Sequence, residues 1–193
     1  YPSRFRGVAV IDPSADRETM QQLAEGGVVG VRLNAIGRPA PDLGSVTYRR
    51  FTRLLAELDL FLEIQAEGSQ WNDMASMLSD LPCDLVIDHF GRTPVSHESG
   101  GFDTLLAIAQ RKDIWFKFSA PYRFGSQEGK TCAGVLVDTV GTERIVWGSD
   151  WPWTQFEGRH TYADCLNWLS DWVAADDIQN VLTKNAAKLL RFT

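Results

Sequence analysis

The sequence has 193 residues, with 19 Lys and Arg against 25 Asp and Glu, for a formal net charge of −6. That length suits one domain over residues 1–193 with a sizeable core, and the acidic balance argues against a nucleic-acid reader, which carries a net basic face. No run of 18 apolar residues occurs, so no membrane span is expected, and the opening Tyr1-Pro2-Ser3-Arg4 lacks the apolar core of a signal peptide.

The predicted elements alternate along the chain. Strands are expected at 7–11, 29–34, 61–65, 85–90, 114–119 and 144–148, several of them near-continuous apolar runs, as in a covered parallel sheet. Between them fall helical stripes. Met20, Leu23 and Ala24 make the first, stopped by Gly26-Gly27, and Phe51, Leu54, Leu55 and Leu58 the second. Met74, Met77, Leu78 and Leu81 follow, then Phe102, Leu105, Ile108 and Ala109, then Leu136, Val137 and Val140. After the last strand, Tyr162, Leu166, Leu169, Trp172 and Val173 recur at helical steps, and Ile178, Val181 and Leu182 open a final helix through Leu190. Strand starts lie 22 to 32 residues apart, one βα unit each, which predicts a parallel α/β sheet. Six units fit either a doubly wound open sheet or a (β/α)8 barrel lacking two units, since a whole barrel takes about 250 residues. Cys83, Cys132 and Cys165 are scattered and form no CxxC. They read as buried hydrophobes in a reduced, cytoplasmic protein.

The strand ends are polar. Arg32-Leu33-Asn34, Gln65, Asp88-His89, Ser119 with Tyr122-Arg123, and Gly148-Ser149-Asp150-Trp151-Pro152 all fall at or just beyond the carboxyl end of a strand. In parallel α/β folds that edge carries the site. Asp150 reads as a site carboxylate, against the plainer reading of a helix cap. His89 reads as functional, against a satisfied core histidine, while His97 and His160 read as solvated and Asp88 as an orienting group. Arg32 lies inside an apolar strand and needs a partner. With Arg38 and Arg123 it suits a small anionic substrate bearing carboxylates, because guanidinium binds carboxylate bidentately. No GxxxxGK[ST], GxGxxG or GxSxG motif is present, which argues against nucleotide sites and a serine elbow.

The segments Gly30-Val31-Arg32-Leu33-Asn34, Asp88-His89-Phe90-Gly91-Arg92, Lys117 to Arg123, Val146 to Pro152 and Asn185 to Leu190 together resemble the amidohydrolase superfamily over essentially the whole chain. Within it they are most similar to the branch of 2-pyrone-4,6-dicarboxylate hydrolases and related lactonases. The resemblance implies a TIM barrel, here incomplete: the family's first strand ends in His-x-His, no such pair occurs, and the chain would begin at the third strand. It implies that residues 124–142 are short for a complete βα connection. It also implies that the histidine of metal-dependent members is replaced by Gln65, so no metal is expected, with zinc as the alternative.

The implied activity is that of a hydrolase of lactone esters, in aromatic catabolism. Arg32, Arg38 and Arg123 would hold substrate carboxylates, with Tyr122 and Gln65 lining the pocket. His89 would polarise the carbonyl and Asp150 would activate water. The alternatives are a metal-dependent amidohydrolase or decarboxylase, a sugar lactonase, and a catalytically inactive anion-binding fragment. An open barrel seam would favour a homo-oligomer.

Overall fold

The computed structural model describes residues 3–192. Strands β1 (Gly7–Ala9), β2 (Val28–Asn34), β3 (Phe61–Gln65), β4 (Leu85–Ile87), β5 (Ile114–Phe118) and β6 (Ile145–Trp147) form one parallel sheet in sequence order. The crossovers carry α1 (Arg17–Glu25), α2 (Val46–Glu57), α3 (Gln70–Ser79), α4 (Gly101–Ala109) and α5 (Ser126–Val140). Beyond β6 lie α6 (Tyr162–Asn167), α7 (Leu169–Trp172), α8 (Ala175–Gln179) and α9 (Asn185–Leu189), the last two joined by a π-helical turn at Asn180–Lys184. None of these helices is long and apolar enough to cross a membrane.

Local chemistry places these elements. Asp16 caps α1 by accepting from the Thr19 N–H at 2.8 Å, and Ser45 does the same for α2 through Tyr48. Thr161 and Asp164 close a reciprocal capping box at the start of α6. The α2 stripe of Phe51, Leu54 and Leu55 turns inward and is buried. Each such side chain stabilises the fold by roughly 1.5–3 kcal/mol.

The strand order decides between the two architectures. A doubly wound sheet reverses its order at a switch point; here the six strands run consecutively. The main core lies on one face, where Leu33, Leu62, Ile64, Ile87, Phe116 and Phe118 meet the helices. The opposite face holds a smaller cluster, Val29, Phe61, Val86, Trp115 and Val146, closed from below by Leu189. Two faces so different describe a sheet curled into a half barrel, helices outside and a narrow interior within, with β1 and β6 as its edges.

The connection between β5 and β6 carries α5, at 15 residues the longest helix among the described residues. The helix expected over 162–173 is divided at Trp168 into α6 and α7. The three cysteines are free and buried, and burial pushes the Cys83 and Cys132 thiols up to about 11, which leaves them unreactive.

Candidate active site

At the carboxyl edge of the sheet the backbone leaves the strands by left-handed steps. β4 stops at Ile87, and the chain turns through Asp88–Gly91 with His89 at φ 50° and Phe90 at φ 57°. Ala120 after β5 and Asp150 after β6 adopt the same region, at φ 50° and 58°. A non-glycine residue there costs about 1–3 kcal/mol and persists only where its surroundings enforce it. The enforcement at β4 is visible. Phe90 is fully buried and stacks on Phe118 with centroids 4.4 Å apart, Trp172 meets its ring edge-on, and the Trp71 indole donates to the Gly91 carbonyl at 2.7 Å. Anchoring Phe90 inward turns His89 toward the barrel mouth.

His89 and Asp150 meet across that mouth. His89 Nε2 lies 3.5 Å from Asp150 Oδ1. The other carboxylate oxygen, Oδ2, accepts from the Tyr122 hydroxyl at 2.6 Å and from Arg123 Nε at 2.8 Å, with Arg123 Nη2 2.7 Å away. Three donors converge on Oδ2, so Oδ1 is the oxygen left to hold a water. Burial and the bond to Asp150 raise the Tyr122 hydroxyl well above its usual range, so it acts as a donor only. Tyr122 is itself held between Phe156 and His160, the latter stacked 4.5 Å away. His160 is therefore half-buried against Tyr122 rather than fully solvated.

Beneath the mouth lies a lattice of four charges, two from each sign. Arg32 Nε is 2.9 Å from Asp88 Oδ2 and 3.0 Å from Glu63 Oε1, its Nη2 also pairs with Asp88, and that nitrogen donates to Gln65 Oε1 at 2.7 Å. Lys117 Nζ closes the ring, 3.1 Å from Glu63 Oε1 and 2.6 Å from Asp88 Oδ1. Arg32 and Glu63 are register partners on β2 and β3, so the parallel pairing itself sets this contact. Burial alone would raise the Asp88 carboxyl, but Lys117, His89 and Arg32 outweigh it and hold it well below the usual range. Glu63, with burial dominant, is raised.

His89 is neutral. Burial, aided by Lys117 and Arg32, outweighs the pull of Asp88 and Asp150 and lowers it to about 4. Its Nε2 faces only carboxylate oxygens, Asp88 Oδ2 at 3.3 Å and Asp150 Oδ1 at 3.5 Å, while Nδ1 lies 2.7 Å from Ser119 Oγ. That arrangement assigns the proton to Nε2 and makes Nδ1 the acceptor from the serine hydroxyl. A pH dependence follows. As pH falls from the ordinary histidine value of 6.5 toward about 4, the unfolded chain takes up a proton that folded His89 refuses. Stability falls by up to about 3 kcal/mol over that window. Asp88 works in a lower window, its contribution present above the ordinary carboxylate range and lost only below it. Urea midpoints at pH 7 and 4.5 should show the loss in the wild type and a much smaller one in His89→Gln.

The cleft above the lattice encloses about 420 Å³ and is lined by Arg32, Asn34, Gln65, His89, Arg92, Arg123 and Asp150, among others. Of the residues expected from sequence, Arg32, Gln65, His89, Arg123 and Asp150 line it directly, and Tyr122 reaches it through Asp150. Arg38 is exposed and lies in an adjoining groove that shares Arg32 and Asn34. Arg123 is committed to Asp150 as well as facing the cleft. Arg92 was not assigned a role from sequence, although it closes the Asp-His-Phe-Gly-Arg segment. Its Nη2 pairs with Glu67 at 3.1 Å, and its Nε is buried without a partner among the described residues.

Comparison with known proteins shows the family. The amidohydrolase family model matches residues 1–192. The chain belongs to the amidohydrolase family. Among curated amidohydrolase relatives, a 4-sulfomuconolactone hydrolase of Hydrogenophaga intermedia is 25% identical over 201 residues, covering 96% of this chain and 65% of that protein. A 2-pyrone-4,6-dicarboxylate hydrolase of Comamonas testosteroni is 29% identical over 169 residues, covering 77% of this chain and 54% of that protein. The chain thus spans between half and two thirds of these relatives' length. A crystal structure of a probable 2-pyrone-4,6-dicarboxylic acid hydrolase from Acinetobacter baumannii, with citric acid bound, superposes at a TM-score of 0.91 with 28% identity, covering all of this chain and 75% of that one.

Amidohydrolases with catalytic zinc need about three protein ligands. Here His89 and Asp150 face one another, but Gln65 Oε1 is occupied by Arg32, and no group of three His, Cys, Asp or Glu side chains placed to hold a metal ion is found among the described residues. Arg32, Arg92 and Arg123 crowd the same space with positive charge.

Proposed function

We propose that this amidohydrolase hydrolyses a lactone that bears carboxylate groups, with Asp150 activating the water and no metal taking part. The observation that carries the reading is the split environment of Asp150: one oxygen held by Tyr122 and Arg123, the other open beside the His89 Nε2–H, in a cleft walled by arginines. In the reaction, water bound at Asp150 Oδ1 loses a proton to the carboxylate as its oxygen attacks the lactone carbonyl carbon. The His89 Nε2–H donates to the oxyanion that forms. Collapse breaks the acyl carbon–oxygen bond of the ring, and Asp150 returns its proton to the leaving enol oxygen. Arg32, Arg38, Arg92 and Arg123 orient the substrate through its carboxylates.

The names of the relatives support the lactone, and the citric acid bound to the Acinetobacter protein supports a ligand that carries carboxylates. The consecutive half barrel supports reading its strands as the third to eighth of a (β/α)8 barrel. The test is a lactone panel assayed in the presence of a chelator, with citrate as competitor. A pyrone dicarboxylate should exceed neutral sugar lactones in kcat/KM by at least about 100-fold, and citrate should compete. Equal turnover of neutral lactones would move the protein to the sugar lactonases. Activity lost to the chelator and restored by zinc would overturn the metal-free mechanism.

A further inference from the structure

Lys117 and Glu63 do not line the cleft, and the mechanism above does not use them. Both interrupt apolar strands, and both are committed to the charge lattice beneath His89. Asp88 is the member in contact with His89. Its Oδ2 carries Arg32 and lies 3.3 Å from His89 Nε2, while its Oδ1 carries Lys117. Arg32 is divided among Asp88, Glu63 and Gln65, so Lys117 is the cation that completes the charge balance of Asp88.

We propose that Lys117 is a positioning residue that keeps His89 a neutral donor at the mouth: by holding Asp88 Oδ1, with Glu63 fixing the ammonium from the other side, it prevents Asp88 from drawing a second proton onto the imidazole. The groups that face His89 are Arg32 from β2, Asp88 just beyond β4, Lys117 from β5 with Ser119 just after it, and Asp150 beyond β6, with Glu63 of β3 one partner away. A carboxylate this close to an imidazole favours the imidazolium. The nearby Lys117 cation opposes it, both by engaging that carboxylate and by direct repulsion. The consequence for the site is specific. A second proton would go to Nδ1, beside Ser119, and the added charge would tighten the Nε2–H onto Asp150 Oδ1, 3.5 Å away, the oxygen needed for the water.

The inference deepens the proposed lactone hydrolysis and rests on it for its kinetic consequence, but its test does not depend on turnover. Nitrogen NMR of the imidazoles, with His89 separated from His97 and His160 by the His89→Gln variant, reads tautomer and titration directly. The wild type should show His89 as the Nε2–H tautomer at pH 7. In Lys117→Met its midpoint should rise by about 1–2 units. In Glu63→Gln, which removes a charge of the opposite sign from the same lattice, it should stay in place or fall. Damage to packing alone would not move the two variants in opposite directions. If substrate turns over, kcat of Lys117→Met should decline on the acid side where the wild type does not, with KM affected less. A doubly protonated wild-type His89 at pH 7 overturns the proposal, and that measurement needs no variant to fold. An unmoved midpoint in Lys117→Met, or an equal rise in Glu63→Gln, overturns it as well.

Discussion

Asp150→Asn should lower kcat for lactone hydrolysis by about 10²–10⁴-fold while the protein folds as before. The amide preserves the shape of the carboxylate. Its oxygen can accept from Tyr122 and Arg123 as Oδ2 does now, so the packing around the turn at φ 58° is kept. What is lost is the proton acceptor at the Oδ1 position, where water must be deprotonated. The loss should fall on kcat with KM changed only a few-fold, since the substrate is held by the arginines. Steady-state kinetics of purified wild type and variant, with circular dichroism to confirm the fold, checks this. Turnover within tenfold of the wild type would remove Asp150 from its role.

Arg32→Met should destabilise the fold by about 3–5 kcal/mol, because it leaves buried carboxylates without their cation. Asp88 is wholly buried and Glu63 nearly so, and Arg32 bonds to both. Lys117 alone would then face two negative groups. Pairing the change with Glu63→Gln should recover a substantial part of the loss, since Lys117 and Asp88 then remain as a balanced pair. Urea unfolding of the two single variants and the double variant measures the coupling. A single variant within 1 kcal/mol of the wild type would mean that water, not Arg32, solvates these carboxylates. The structural and catalytic uses of Arg32 are linked: the same guanidinium that closes the lattice also lines the cleft.

Much of this arrangement is legible in the sequence where a single physical demand acts on a segment. β3 matches its expected bounds because all five of its residues are buried, and its apolar run is broken only by Glu63 and ended by Gln65. The polar strand ends marked the site because nothing in packing calls for Asp88-His89 or Ser149-Asp150 after an apolar strand. β4 was expected to run to Phe90 and stops at Ile87, because His89 and Phe90 turn left-handed under the grip of Phe118 and Trp172. Such tertiary enforcement leaves no local signal. The edge strand β1 pairs on one side only and is shorter than its apolar pattern suggests. The charge lattice needed the register. Arg32, Glu63 and Lys117 each look isolated in their own strands, and only the parallel pairing of β2 with β3, and the order β3-β4-β5, bring them together. Their common signal is a charged residue within an apolar strand. Arg92 stood in a recognised segment, but its buried, unpartnered Nε becomes visible only once the cleft exists.

The most direct test is the absorbance of 2-pyrone-4,6-dicarboxylate, followed at neutral pH with the wild-type protein and a chelator present. The pyrone band should disappear in an enzyme-dependent manner, at the same rate with and without chelator. A pyrone that stays intact at high protein concentration, while neutral lactones open or a zinc supplement is required, would contradict it.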